Sequence, residues 1–358
     1  MHRQSILSML MIFSILASLF AQTRTMKIAG VNRTYIIHAP DGLNNPPLLF
    51  NIHGFDMSAP SQQNYTKMDA VADREKFIVV YPEALSNSSN QKSWDLSGPN
   101  DFEFIMAIID TIDKEYQIDK KRIYACGFSQ GGFMSFQLAC RYSDIFAAIA
   151  PTSGTVSGTC NLKRPVPMRL TFGTNEFDRG AAQTAQFMQS VAKWVELLNC
   201  PENPVITRPY PSNNPNSVVT RLYYGPCDGD AEVIADSVRT GGHEWPMNTN
   251  DRINNSEETW AFLNKFSLKD GGTVVHEQII SRTTDIISAT FNAGIIHLRG
   301  VKDKNLVKVI DTKGRMVART TVNQSQISLK NGSVGMYILQ IFNNNNNNKP
   351  VTIKMVIH

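Results

Sequence analysis

The stretch that most restricts how this chain can fold is Gly127-Phe128-Ser129-Gln130-Gly131. A β-branched and aromatic run, Arg122-Ile-Tyr-Ala-Cys126, leads into it, and a proline-free run, Gly132-Phe-Met-Ser-Phe-Gln-Leu-Ala-Cys140, leads out. Strand, tight turn and helix in that order form the setting of a nucleophile elbow. The turn lifts the serine hydroxyl above the sheet and points the N–H of the next residue at any oxyanion that forms. Glycines two positions to either side let such a turn pack closely. The turn is catalytic only if the chain also supplies an oxyanion loop upstream, then an acid and a histidine downstream.

With 358 residues, 42% hydrophobic and 18% charged, the chain is long enough for one large core and a second, smaller unit. A net charge of +4, with no basic run denser than Lys120-Lys-Arg122 or Lys302-Asp-Lys304 and no aromatic interleaving, speaks against nucleic acid as a partner. His2 and Arg3, the apolar run from Ile6 to Phe20 and the small Ala21 have the layout of a signal peptide over 1–21. That run falls short of the roughly 20 apolar residues of a spanning helix, so no membrane span is expected and the protein reads as secreted or cell-surface. Export permits disulfides among the five cysteines. Cys200 and Cys227, in polar and proline-rich sequence, are the expected pair. Cys126 and Cys140 read as small apolar core residues, leaving Cys160 as a free thiol or a partner for Cys140.

Strand-like runs at 34–38 and 48–52 flank the turn signals Pro40-Asp-Gly42 and Pro46-Pro47, and the second ends in His53-Gly54-Phe55-Asp56. A His-Gly pair at the end of an early strand is where the second oxyanion N–H arises, so the N–H groups of Phe55 and Gln130 are the candidate donors. His53, upstream of the serine, reads as a residue that orients this loop. Phe77 to Tyr81 is a buried strand, and Trp94 in the long loop after it is a candidate wall of a substrate site or a cover for the edge of the core. Asn100, with Glu103 three residues on, reads as the cap of a helix whose Phe102, Ile105, Ile109, Ile112 and Tyr116 recur at helical spacing. Further strands are expected at 123–127, 146–150, 165–172, 221–224 and 232–238, with a helix over 181–198. This alternation calls for a parallel sheet with helices on both faces.

The strand ending at Phe172 runs into Gly173-Thr-Asn-Glu176-Phe-Asp178, which puts two carboxylates where an open α/β sheet carries functional groups. The last strand runs into Gly241-Gly-His243-Glu-Trp-Pro246, and of the seven histidines only His243 combines a Gly-rich loop, a preceding strand and a position after both the serine and the acids. Trp245 beside it is a second candidate wall. Ser256, with Glu257 and Glu258, reads as the cap of a closing helix that runs on through Phe266. From Leu268 the sequence changes to short β-prone runs separated by Gly or Asn turns, including Lys313-Gly314 and Asn331-Gly332, which reads as a small antiparallel sandwich over 286–358 after a linker at 268–285. The run 343–348 is a low-complexity hairpin tip. No His-Glu-x-x-His, Cys-x-x-Cys or phosphate-binding Gly-Lys-Ser/Thr loop competes with the serine, so neither metal nor other cofactor is expected.

Residues from about 34 to 266 resemble the esterase family that holds feruloyl esterases, acetylxylan esterases and secreted polyhydroxyalkanoate depolymerases. The matching residues are His53-Gly54, Asp119-Lys-Lys-Arg-Ile-Tyr124 leading into Gly-Phe-Ser129-Gln-Gly-Gly132, Phe146-Ala-Ala-Ile-Ala-Pro-Thr-Ser-Gly154 and Gly241-Gly-His243-Glu-Trp-Pro246. The resemblance implies an α/β-hydrolase fold over 22–267 and carries the family's serine and histidine to Ser129 and His243. The family's acid falls on Glu176 in Phe172-Gly-Thr-Asn-Glu176, with Asp178 as its rival. It implies an esterified plant cell-wall polysaccharide as substrate, with polyester depolymerisation, or a non-catalytic surface binding protein on the same scaffold, as alternatives. The tail from about 286, through Gly335-Met-Tyr337-Ile-Leu and Lys354-Met-Val-Ile-His358, resembles the sorting domain of type IX secretion, which would make that export machinery a partner.

Overall fold

The computed structural model describes residues 21–247, 250–268 and the second-unit segments 288–292, 295–299, 306–311, 315–321, 326–328, 335–342 and 351–357. The expected signal peptide, nearly all of the expected linker and the Asn-rich tip lie outside the described residues. The chain divides into two compact units, Met1–Phe266 and Ser267–His358.

The first unit runs β1 (Gln22–Ile28), β2 (Val31–His38), β3 (Leu48–Ile52), α1 (Ala59–Thr66), α2 (Met68–Glu75), β4 (Ile78–Pro82), α3 (Asn100–Tyr116), β5 (Ile123–Phe128), α4 (Gln130–Arg141), β6 (Phe146–Thr152), β7 (Met168–Gly173), α5 (Gly180–Leu197), β8 (Val205–Thr207), β9 (Val219–Tyr224), β10 (Val233–Val238) and α6 (Asn255–Leu263). Its strands form one sheet in the order β1-β2-β4-β3-β5-β6-β7-β10-β9-β8. Neighbours from β4 to β10 in that order are parallel, and the outer pairs are antiparallel. Every residue of β3, β4, β5, β6 and β7 is buried, as strands covered on both faces by crossover helices must be. The register pairs Ile52 with Gly127, Phe128 with Thr152 and Gly173 with Val238, so the C-terminal ends of β3, β5, β6, β7 and β10 gather at one rim. That rim is where an open α/β sheet places its chemistry.

The apolar stripe of α3 is buried from Phe102 to Ile112, with Tyr116 half-buried at its end, but Asn100 is not its cap. Pro99 occupies that place without a side-chain bond, and Asn100 lies inside the first turn. β7 begins at Met168 rather than Pro165, because prolines at 165 and 167 have no N–H to give a ladder. The cap of α6 is Asn254, whose side chain accepts the N–H groups of Ser256 and Glu257, and the helix stops at Leu263, short of Phe266. β1, β8, α1 and α2 were not foreseen. Cys200 pairs with Cys227 as expected. Cys140 is not a plain core residue: it is bonded to Cys160, tying the end of α4 to the loop before β7, and Cys126 stays free and buried.

A buried ion network braces the sheet behind the rim. Asp236 on β10 accepts from Arg169 Nε at 2.8 Å and Arg221 Nε at 2.7 Å. Arg169 also donates to Asn255 Oδ1 at 2.9 Å, and Asn255 Nδ2 donates to Thr152 Oγ1 at 2.9 Å, so β6, β7, β10 and α6 are locked together. Burial pushes the Asp236 carboxyl up, yet Arg169 and Arg221 together hold it below its ordinary value.

The second unit has β11 (Ser288–Asn292), β12 (Ile295–Arg299), β13 (Leu306–Asp311), β14 (Met316–Thr321), β15 (Gln326–Ser328), β16 (Gly335–Phe342) and β17 (Val351–Ile357). They form two antiparallel sheets, β11-β12-β15 and β14-β13-β16-β17. Val307 and Val309 are buried opposite Ile341 and Leu339, the period of two that gives a strand one core face. The expected turns Lys313-Gly314 and Asn331-Gly332 lie outside the described residues.

Asp236→Ala leaves Arg169 buried without its counter-charge. The expected loss is about 3–5 kcal/mol of stability, read as a lower urea midpoint; an unchanged midpoint would contradict the bracing role.

Candidate active site

Ser129 takes φ +55° and ψ −117°, backbone that costs a residue with a side chain about 1–3 kcal/mol. Its neighbours hold it there. Ser129 N–H donates to Thr152 O at 2.9 Å, and Ser129 O accepts from the N–H groups of Gly132 and Phe133 at 2.8 and 3.1 Å. A Cβ at Gly131 would stand 2.0 Å from Ile52 O, so the start of α4 can lie on the end of β3 only with glycine there. A Cβ at Gly54 would come within 3.2 Å of Ser129 Cβ, which brings the His53–Phe55 loop onto the serine.

That loop and the first turn of α4 present the N–H groups of Phe55 and Gln130, and neither donates to another group among the described residues. The Gln130 side chain fixes the arrangement by accepting from Trp94 N–H at 3.0 Å and donating to Ser93 Oγ at 3.1 Å. His53 is buried beneath the loop. Ala84 N–H donates to its Nε2 at 3.0 Å, so that nitrogen carries no proton, and its Nδ1 donates to Gly54 O at 2.7 Å. Burial is the main reason its pKa lies below the usual value, with the Gly54 bond opposing. This ring orients the loop, as read from the sequence.

Of the two carboxylates after β7, Glu176 turns inward and Asp178 outward. Glu176 is fully buried and satisfied by three donors: Ser153 Oγ at 2.6 Å, Gly173 N–H at 2.8 Å and His243 Nδ1 at 2.7 Å. Asp178 is exposed and, among the described residues, meets only Asn175 Nδ2, at 3.4 Å. With Nδ1–H donated to Glu176, the other nitrogen of His243 is left as a proton acceptor. The imidazole lies between Phe128, at 4.6 Å between ring centroids, and Phe177, at 4.2 Å. Phe128 immediately precedes Ser129, so the stack sets the ring beside the elbow. Ser129 Oγ itself forms no hydrogen bond among the described residues. Such nucleophile–base contacts are often long without substrate and close when it binds.

The His243 loop hangs on residues from across the unit. Asn175 N–H donates to Gly241 O at 2.9 Å, Trp245 N–H to the Tyr65 hydroxyl at 2.7 Å, and Trp245 Nε1–H to Ser256 Oγ at 3.0 Å. Sequence reasoning missed Ser153 and Tyr65 as parts of the site. Ser153 lies in the Phe146–Gly154 run, whose sequence carries no sign of such a role, and Tyr65 lies on α1, which has no apolar periodicity. The two tryptophans are nearly buried. Trp94 is 3% exposed and donates Nε1–H to His53 O at 2.9 Å, and Trp245 is 2% exposed, because each indole N–H takes an interior partner. The aromatics exposed beside the site are Phe55, at 46%, and Phe177, at 59%.

The fold is that of an α/β-hydrolase, with an elbow serine and a carboxylate-bound histidine at the rim of a mostly parallel sheet. Residues 33–164 match the family model described as Esterase PHB depolymerase, and residues 283–358 the one described as Secretion system C-terminal sorting domain. The chain carries a domain of that esterase family followed by a secretion sorting domain. A bifunctional acetylxylan esterase/xylanase of Neocallimastix patriciarum is 32% identical over 242 residues, covering 67% of this chain and 34% of that protein. Feruloyl esterase B of Piromyces equi is 27% identical over 262 residues, covering 66% of this chain and 46% of that protein. The chain thus spans between a third and a half of these curated relatives' own lengths. An acetyl xylan esterase structure from Aspergillus awamori shares the fold, with a TM-score of 0.54 at 15% identity over 68% of this chain and 99% of that one.

The neutral His53 makes a prediction. Its folded pKa lies below the unfolded value of about 6.5, so the unfolded chain binds more protons between the two. Its contribution to stability is therefore complete above about pH 6.5 and lost as pH falls toward the folded value. The stability gap between wild type and His53→Gln, from denaturation between pH 8 and pH 5, is expected to shrink on acidification. A gap independent of pH would mean that the ring is not held neutral.

Proposed function

We propose that the first unit is a secreted serine esterase that cleaves carboxylic esters of plant cell-wall polysaccharide, feruloylated or acetylated xylan, through an acyl-enzyme. The observation that carries this is the buried Glu176 carboxylate 2.7 Å from His243 Nδ1, beside an elbow serine on strained backbone. In the reaction His243 accepts the Ser129 proton through Nε2, Ser129 Oγ attacks the ester carbonyl, and the amides of Gln130 and Phe55 hold the oxyanion. Glu176 keeps the productive tautomer and stabilises the imidazolium. His243 returns the proton to the leaving alcohol, and water then releases the acid by the same path in reverse. The substrate class is supported by the names of the acetylxylan and feruloyl esterase relatives. Secretion is supported by the sorting-domain match and by the N-terminal signal-peptide pattern, and type IX machinery is the proposed export partner.

Depolymerisation of a polyhydroxyalkanoate is a second reading, favoured by the description of the matched family. Clearing of a polyester suspension with methyl ferulate and acetylated xylan left intact would select it.

Turnover of 4-nitrophenyl acetate is expected to fall at least about 1,000-fold in Ser129→Ala and about 1,000- to 10,000-fold in Glu176→Gln. Asp178→Asn is expected to stay within about twofold of wild type. Activity that survives Ser129→Ala would end the enzyme reading, and a larger loss in Asp178→Asn than in Glu176→Gln would reassign the acid.

A further inference from the structure

Phe177 is held out of the core by strained backbone. Its φ is +53°, which a bulky side chain rarely adopts, and Asp178 and Gly180 follow at +55° and +49°. Such strain persists where surrounding structure enforces it, and it concentrates at ligand clamps and active sites. The result is a phenyl ring 59% exposed, although burying it would be favourable. Part of the ring rests on the His243 imidazole, at 4.2 Å and an interplanar angle of 35°. The Arg179 guanidinium stands over the same ring, 6.0 Å from its centroid.

The course of ester cleavage says what meets this ring. The imidazolium returns its proton to the leaving oxygen, so that oxygen must come within about 2.6–3.2 Å of His243 Nε2. The carbonyl oxygen is taken by the Phe55 and Gln130 amides. The rest of the alcohol therefore extends past the imidazole, beside Phe177. An aromatic face attracts the weakly positive C–H bonds on the face of a pyranose ring, and a guanidinium beside it offers N–H donors to the hydroxyls.

We propose that Phe177 is the platform for the alcohol half of the substrate, a sugar ring, and so a specificity-determining residue of the site. This rests on the esterase reading and adds the residue that selects the alcohol. Holding the acyl group constant isolates it. Wild type, Phe177→Ala and Phe177→Trp, each as the full chain, are compared on an acetylated xylo-oligosaccharide and on methyl acetate. Phe177→Ala is expected to raise KM about tenfold more for the sugar ester than for methyl acetate, with Phe177→Trp recovering most of that difference. The acid limb of the pH–rate profile on methyl acetate is expected not to move.

Equal losses on the two esters, or a shifted acid limb, would mean that the ring only supports His243 and would overturn the proposal. Unchanged kinetics on both would overturn it too. Wild type that cleaves methyl acetate but not the sugar ester would refute the sugar platform while leaving the esterase standing. Wild type that cleaves neither would remove both. The ring is exposed, so its replacement leaves the fold intact.

Discussion

A carboxylate with no exposed surface is stable only if the protein supplies the hydrogen bonds that water would have given. Glu176 sets that requirement here, and three segments meet it: Ser153 after β6, the Gly173 N–H at the end of β7 and His243 after β10. Their convergence depends on the parallel register of these strands, since a slip of one residue would turn every side chain to the other face. The Asp236 network behind them resists such a slip by tying the same strands to α6. The charge at the rim and the charge in the core are thus parts of one frame.

Two histidines lie under the same rim with opposite fates. Both nitrogens of His53 are occupied within the protein, one donating and one accepting, and the ring cannot take a proton without losing its bond to Ala84. His243 gives Nδ1 to Glu176, and its Nε2 has no partner among the described residues. One ring has both nitrogens tied and the other keeps one open among the described residues, and the hydrogen-bond partners make the difference.

The rim was legible because its chemistry is written locally. The elbow, the His-Gly loop, the Phe172-Gly-Thr-Asn-Glu176 turn and the Gly-Gly-His243 turn each occupy a few consecutive residues at a strand end. The sheet was legible because buried parallel strands read as continuous apolar runs. The helices α1 and α2 were not, since α1 buries Gln62 and Thr66, which bond to Asn51 on β3, and so shows no apolar periodicity. The exposure of the tryptophans was not legible either. An indole has the same sequence signature whether its N–H meets solvent or, as in Trp94, a backbone carbonyl. Nor could spacing choose between Glu176 and Asp178, because the choice lies in which way a short turn rolls.

The loop that holds His243 is fastened to α1 by partners far apart in the chain. Trp245 reaches Tyr65 across 180 positions, and Ser256 reaches the Thr66 carbonyl across 190. Contacts of such separation close late, after the intervening chain has found its place. The loop that carries His243 is therefore fixed only when two ends of a long intervening stretch have met, whereas the serine turn is closed by its own neighbours.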